Sequence, residues 1–211
     1  MKVYSLLLFA LLAPAEGQSL DAILRKVEQR YNRIRTLAVG FEQRYTMPGF
    51  GRRVEAGELL MHKPGRMRWN YTTPPGKLFL TDGKFSYLYT PGETQVERIS
   101  MKDSGDLRTP LSFLVGRLDF KRFFNRFELR AENGDPVIRA FPKNERAPFV
   151  SVEFAVTEEG LIKRLSVAGH DRSVMEYVFS NERLNPQLDN AIFRFTAPPG
   201  VSVVETTDLE R

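Results

Sequence analysis

The chain has 211 residues, with 31 Lys and Arg against 26 Asp and Glu and a net charge of +5. That length suits one domain with a sizeable core. No cysteine occurs, which excludes disulfides, thiol chemistry and lipid attachment at an N-terminal cysteine. Basic residues are interspersed with acids, as in Arg52-Arg53-Val54-Glu55 and from Glu158 to Arg164. This mixture predicts solvated outward strand faces and argues against a nucleic-acid partner.

The opening MKVYSLLLFALLAPA places a basic residue before an apolar run from Val3 to Leu12 and a small-x-small end at Ala13-Pro14-Ala15. That is the pattern of a cleaved secretory signal peptide, too short to span a bilayer. Residues 1–15 are expected to be removed, leaving 16–211 as a single soluble domain.

From Ser19 to Leu37 the apolar positions Leu20, Ile23, Leu24, Val27, Tyr31 and Ile34 form one helical stripe with Ser19 as N-cap. The stripe could serve ordinary core packing or the cover of an apolar cavity. Ala38 to Tyr45 alternates as a first strand and Arg53 to Leu60 as a second. The stretch from Gly57 to Pro91 follows, broken by turn residues at Lys63-Pro64-Gly65, Thr73-Pro74-Pro75-Gly76 and Asp82-Gly83. Met67, Trp69 and Tyr71 fall on one face of its middle strand, and Arg66, Arg68 and Asn70 on the other. The hairpin from Lys77 to Tyr89 is apolar on both faces, so it needs covering twice. The fold supplies one cover; helices or a bound apolar ligand could supply the other.

Gln95 to Ser100 completes a meander. Thr109-Pro110 then opens a short helix with Leu111 and Leu114, and Asp119 to Phe124 predicts a second helical piece. Alternation resumes at Phe127 to Ala131, Val137 to Phe141, Phe149 to Thr157, Ile162 to Ala168, Val174 to Ser180 and Ile192 to Phe195. About ten or eleven short strands with few helices predict an antiparallel sheet curling on itself, large enough to hold a ligand.

Catalytic and metal-binding patterns are missing from the sequence. His62 and His170 have no metal-ligand spacing. No GxSxG elbow accompanies His170-Asp171-Arg172-Ser173, and the paired acids Glu158-Glu159 and Asp103 with Asp106 sit in polar turns. An enzyme is not expected, nor a cofactor.

The run KPGRMRWNYTTPP, the TDG turn, FSYLYTP and Gln95-Val96 together resemble the outer-membrane lipoprotein carrier family (LolA). Phe41-Glu42-Gln43, Thr109-Pro110-Leu111 and the tail from Phe193 to Val201 extend the similarity over most of the mature chain. The resemblance implies a mainly β (α+β) fold: an unclosed antiparallel half-barrel covered by a few helices and enclosing an apolar cavity. It implies a periplasmic monomer that takes acylated lipoproteins from an inner-membrane ATP-driven exporter and passes them to an outer-membrane acceptor. Residues matching an acyl-chain cavity are Phe41, Met67, Trp69, Tyr71 and Phe79 on strands, with Leu24, Val27, Tyr31, Leu111 and Leu114 on helices. Related half-barrels also serve as envelope sensors or general lipid carriers. Lys63 stands where the family typically has an arginine that bonds to backbone carbonyls of the helical lid. Lysine keeps the charge and loses the planar fork of donors.

Overall fold

The computed structural model describes residues 19–101 and 116–206. The expected signal peptide, the acids Asp103 and Asp106, and the helical turn with Leu111 and Leu114 lie outside these residues. Helix α1 (Leu20–Asn32) is followed by β1 (Thr36–Met47), β2 (Gly51–His62), β3 (Arg66–Thr73), β4 (Pro75–Asp82), β5 (Phe85–Tyr89) and β6 (Gln95–Ser100). A short α2 (Phe120–Phe123) leads into β7 (Phe124–Glu132), β8 (Asp135–Pro142), β9 (Ser151–Val156), β10 (Ile162–Ala168) and β11 (Val174–Leu184). A 3-10 turn at Asn190–Phe193 precedes β12 (Ser202–Thr206).

All twelve strands join one sheet in the order β12-β6-β5-β4-β3-β2-β1-β11-β10-β9-β8-β7. Its ends, β12 and β7, do not pair, so the barrel is unclosed. The expected mainly β half-barrel is therefore present, with one strand more than the upper count. Two local expectations fail. Ile192 to Phe195 is no strand, because Asp189 caps a 3-10 turn there by accepting a hydrogen bond from the Ala191 N–H at 2.8 Å. The strand missed is β12, which pairs parallel with β6, whereas the other pairings are antiparallel. Five residues just past a Pro-Pro-Gly turn carry too little pattern to reveal a distant partner.

Helix α1 forms where the stripe predicts: Ser19 Oγ caps the Ala22 N–H at 3.3 Å, and Ile23, Leu24, Val27 and Tyr31 are buried. These side chains belong to one apolar cluster with β1, β2, β3 and β8 to β11. The face of the sheet towards α1 is thus the inner face. Gly160 allows the close approach: a Cβ there would stand 2.9 Å from the Lys26 carbonyl carbon and the Val27 nitrogen, at a φ of +80°.

The outer face has its own cover. Residues from Leu188 to Val201 lay Ile192 and Phe193 against Ala38 and Leu60, and Phe195 and Val201 against Leu80, Tyr87 and Val96. The Phe195 ring stacks on Tyr87 at 4.7 Å. Arg66 and Arg68, expected to be solvated, instead grip this segment. Arg66 donates to Asn190 Oδ1 and Arg68 to the Ile192 carbonyl, both at 2.8 Å. The double covering demanded by the two-faced hairpin is met here, in part, by the chain's own tail.

Candidate functional site beneath helix α1

The inner wall is built in rows, because directly opposed residues on neighbouring strands share a face. One row runs Leu37, Met61, Met67 and Thr81, and another runs Val39, Leu59, Trp69 and Phe79. The next holds Phe41, Gly57 and Tyr71, with Phe179 opposite Phe41 on β11. Gly57 has no side chain in this row, and the β3 backbone fills the place of one: a Cβ there would stand 2.0 Å from the Asn70 carbonyl oxygen. Phe41 reaches Tyr71 at 5.1 Å edge-on, and Trp69 at 4.7 Å. Tyr177 approaches Trp69 at 5.4 Å and stacks with Phe179 at 6.2 Å. Such aromatic contacts add stability beyond area burial.

Of the candidate cavity residues, Leu24, Val27 and Tyr31 descend from α1 while Phe41, Met67 and Trp69 rise from the wall, all buried. Tyr71 and Phe79 complete the set as partly buried residues packed against the same cluster. Leu111 and Leu114 fall outside the described residues. Sequence reading passed over Val39, Leu59, Met61, Tyr177 and Phe179. The alternation of Val174 to Ser180 carried the signal for the last two. Roof and wall meet closely, and the apolar gap touching Tyr31, Leu37, Val39, Leu59 and Ile162 measures about 10 Å³. That is about the space one water needs.

Polar ties hold α1 at its margins. Lys63 Nζ donates to the Tyr31 carbonyl at 2.7 Å, near the end of the helix where carbonyls lack intrahelical partners. Burial pushes the Lys63 ammonium below its ordinary value. The Tyr31 hydroxyl donates to Glu182 Oε2 at 2.8 Å and accepts from the Ile162 N–H at 3.1 Å. Arg30 pairs with Glu182 Oε1 at 2.5 Å. Lys26 Nζ reaches the Glu158 carbonyl at 3.0 Å, and Asn32 exchanges two hydrogen bonds with the Leu118 backbone. Every one of these ties passes through at least one side chain, so none is part of the β ladder. Burial, reinforced by the Glu182 charge, pushes the Tyr31 hydroxyl well up. Burial likewise raises Tyr71 and Tyr177, each with a further push from Glu55.

The wall turns polar towards the end of β1 that carries Tyr45. Gln43, Tyr45, Arg53, Glu55, Lys77 and Met175 surround a hollow of about 270 Å³. Here the expectation of a solvated Arg52 to Glu55 segment fails for one residue. Glu55 is 3% exposed while Val54 is 45% exposed, because Glu55 lies opposite Gln43 on the inner face. Lys77 Nζ meets Glu55 Oε2 at 2.6 Å, and Arg53 Nη2 lies 2.7 Å from Oε1. Elsewhere, His170 contacts the Ala147 carbonyl and His62 the Lys63 carbonyl. Among the described residues no cluster of three or more His, Cys, Asp or Glu could hold a metal. Nor is any helix among them long and apolar enough to cross a membrane.

An unclosed sheet whose inner wall is apolar and aromatic, roofed by an amphipathic helix, defines a class: the half-barrel with a helical cover. Residues 32–196 match the family model described as outer membrane lipoprotein carrier protein LolA, and the chain belongs to that family. The outer-membrane lipoprotein carrier protein of Bordetella avium is 31% identical over 92% of this chain and 90% of its own length. That of Nitrosomonas europaea is 28% identical over 72% and 73%. Among solved structures, an uncharacterized conserved protein from Thermus thermophilus superposes with a TM-score of 0.54 at 12% identity. The match covers 90% of this chain and 100% of that one, a likeness of fold alone.

Proposed function

We propose that this protein is a periplasmic carrier of lipoproteins, enclosing their acyl chains between α1 and the inner wall during passage from the inner to the outer membrane. Exposing one long acyl chain to water costs on the order of 10 kcal/mol at about 0.8 kcal/mol per CH₂, so the cargo cannot cross unaided. The observation that carries the reading is the interface beneath α1, greasy at its centre and held at its edge, among the described residues, by ties that each involve a side chain. Burying Ile23, Leu24, Val27 and Tyr31 contributes roughly 6–12 kcal/mol at about 1.5–3 kcal/mol per side chain. Helix stripe and acyl chain thus compete for one wall at similar free energy, and cargo exchanges with the lid.

On this reading α1 lifts while the twelve-strand sheet stays intact, and Lys63 sets how readily it does so. An exporter at the inner membrane loads the carrier, and an acceptor at the outer membrane unloads it. No cofactor and no bond-making step are required.

The test is to purify the protein from its own periplasm and identify what accompanies it by mass spectrometry. Acylated protein is the expected companion. A carrier that arrives with phospholipid alone, and that takes up no diacylated lipopeptide in vitro, overturns the proposal. Phe79→Glu, at a partly buried wall position, should block lipopeptide loading while thermal unfolding stays within a few degrees of wild type.

A further inference from the structure

The geometry points to the Trp69 indole N–H as a ligand contact, a donor held without a partner among the described residues for the carbonyl oxygen of an acyl ester. This rests on the carrier reading and adds to it the chemical group recognised at the head of the acyl chain.

Trp69 is 3% exposed, and its Nε1 is buried with no hydrogen-bond partner among the described residues. Other polar tips around it are satisfied. Tyr71 donates to Gln43 at 3.1 Å, Tyr177 to Met175 Sδ at 2.8 Å, Tyr31 to Glu182 at 2.8 Å and Thr81 to the Gly65 carbonyl at 2.8 Å. An orphaned N–H in a core is a standing cost that a phenylalanine would not impose. Pure hydrocarbon recognition gives no return for that cost. An indole N–H can only donate, so its complement is an acceptor. In a ligand that is otherwise apolar, that acceptor is a carbonyl.

The position of Trp69 supports the same assignment. Its row lies between that of Leu37, Met61, Met67 and Thr81 and that of Phe41 and Tyr71, beyond which come Gln43 and the buried Glu55 with Lys77. The wall turns polar one row beyond Phe41 and Tyr71, so the indole stands between hydrocarbon and polar surface, as an acyl linkage stands between tail and head. Leu59, directly opposite Trp69, already borders the gap beneath α1, so lifting the helix opens the wall beside the indole.

The chain has one tryptophan, which makes the test unambiguous. The full-length mature protein is titrated with a peptide bearing an S-diacylglyceryl cysteine and with the same peptide carrying alkyl ethers in place of both esters. The ester and ether forms of phosphatidylglycerol provide a second pair. In wild type the single indole N–H resonance should move downfield with the ester members only. Trp69→Phe should weaken ester binding about tenfold more than ether binding, the loss of one net hydrogen bond. A contrast in the lipopeptide pair or in the phospholipid pair supports the proposal and tells which source supplies the carbonyl. Equal weakening of ester and ether, or none, overturns it. If wild type binds neither lipopeptide, the carrier reading itself fails.

Discussion

The two covers on this sheet teach by their difference. The tail from Leu188 to Val201 and the helix α1 both bury apolar surface, one on each face. The tail is bound into the sheet: Arg68 holds its backbone, and it runs on into β12, which adds a ladder to β6. Helix α1, which runs on into β1, is tied to the wall among the described residues by contacts that each involve a side chain. The outer cover is thus part of the architecture, whereas the inner one is a separable layer over an aromatic wall.

If that contrast is right, the largest loss should come from the outer cover and should be global. Phe193→Ala empties a site that is 1% exposed and should cost about 3–5 kcal/mol in urea unfolding. Amide exchange should then accelerate throughout the sheet. Acceleration confined to residues 188–201 would break the contrast.

Alkali should attack the inner interface. Tyr31, Tyr71 and Tyr177, the three most strongly raised tyrosines, all line it. Above about pH 10 the unfolded chain releases phenolic protons that the native state keeps, so stability falls as pH rises. Each tyrosine contributes roughly 1.4 kcal/mol per pH unit, about 4 for the three. Below pH 10 their contribution is fully present. Tyr177→Phe should remove about a third of the slope in urea unfolding measured between pH 9.5 and 11.5.

A smaller and local effect is expected at Tyr31→Phe. Losing the hydroxyl takes a partner from Glu182 Oε2, whose other oxygen keeps Arg30, and from the Ile162 N–H, at a cost of about 1–3 kcal/mol, read as faster exchange in α1 with the sheet unchanged. Lys63→Met should cost about 1 kcal/mol by the same measure, centred on the last turn of α1. Its sharper signature is faster cargo release with little change in loading. A variant that accelerates exchange in β2 as much as in α1 would show Lys63 to be part of the sheet's own support.

The sequence foretold the inner layer better than the outer one. Alternation and turn glycines located the strands of the wall, and the helical stripe located α1, because one-sided burial imposes a period that local sequence must obey. Lys63 was singled out only through family likeness, and its bond to Tyr31 is set by tertiary geometry. The tail was misread where long-range contacts override local pattern. Ile192 to Phe195 looked like a strand, and Arg66 and Arg68 looked solvated, until Asn190 and the Ile192 carbonyl met them. Glu55 was hidden for the same reason. A charged residue between charged neighbours reads as surface unless its partner Lys77, from another strand, is known. Glu182 gave no signal at all.

The parallel pairing of β12 with β6 also bears on how the molecule is assembled. Until Ser202 to Thr206 emerge, β6 presents an open edge with free amide and carbonyl groups, the template on which foreign strands add. Closure of that edge waits on β12. A chain cut short after Leu184 would retain every candidate residue of the inner wall and still expose a sticky margin, aggregating before it could meet any cargo.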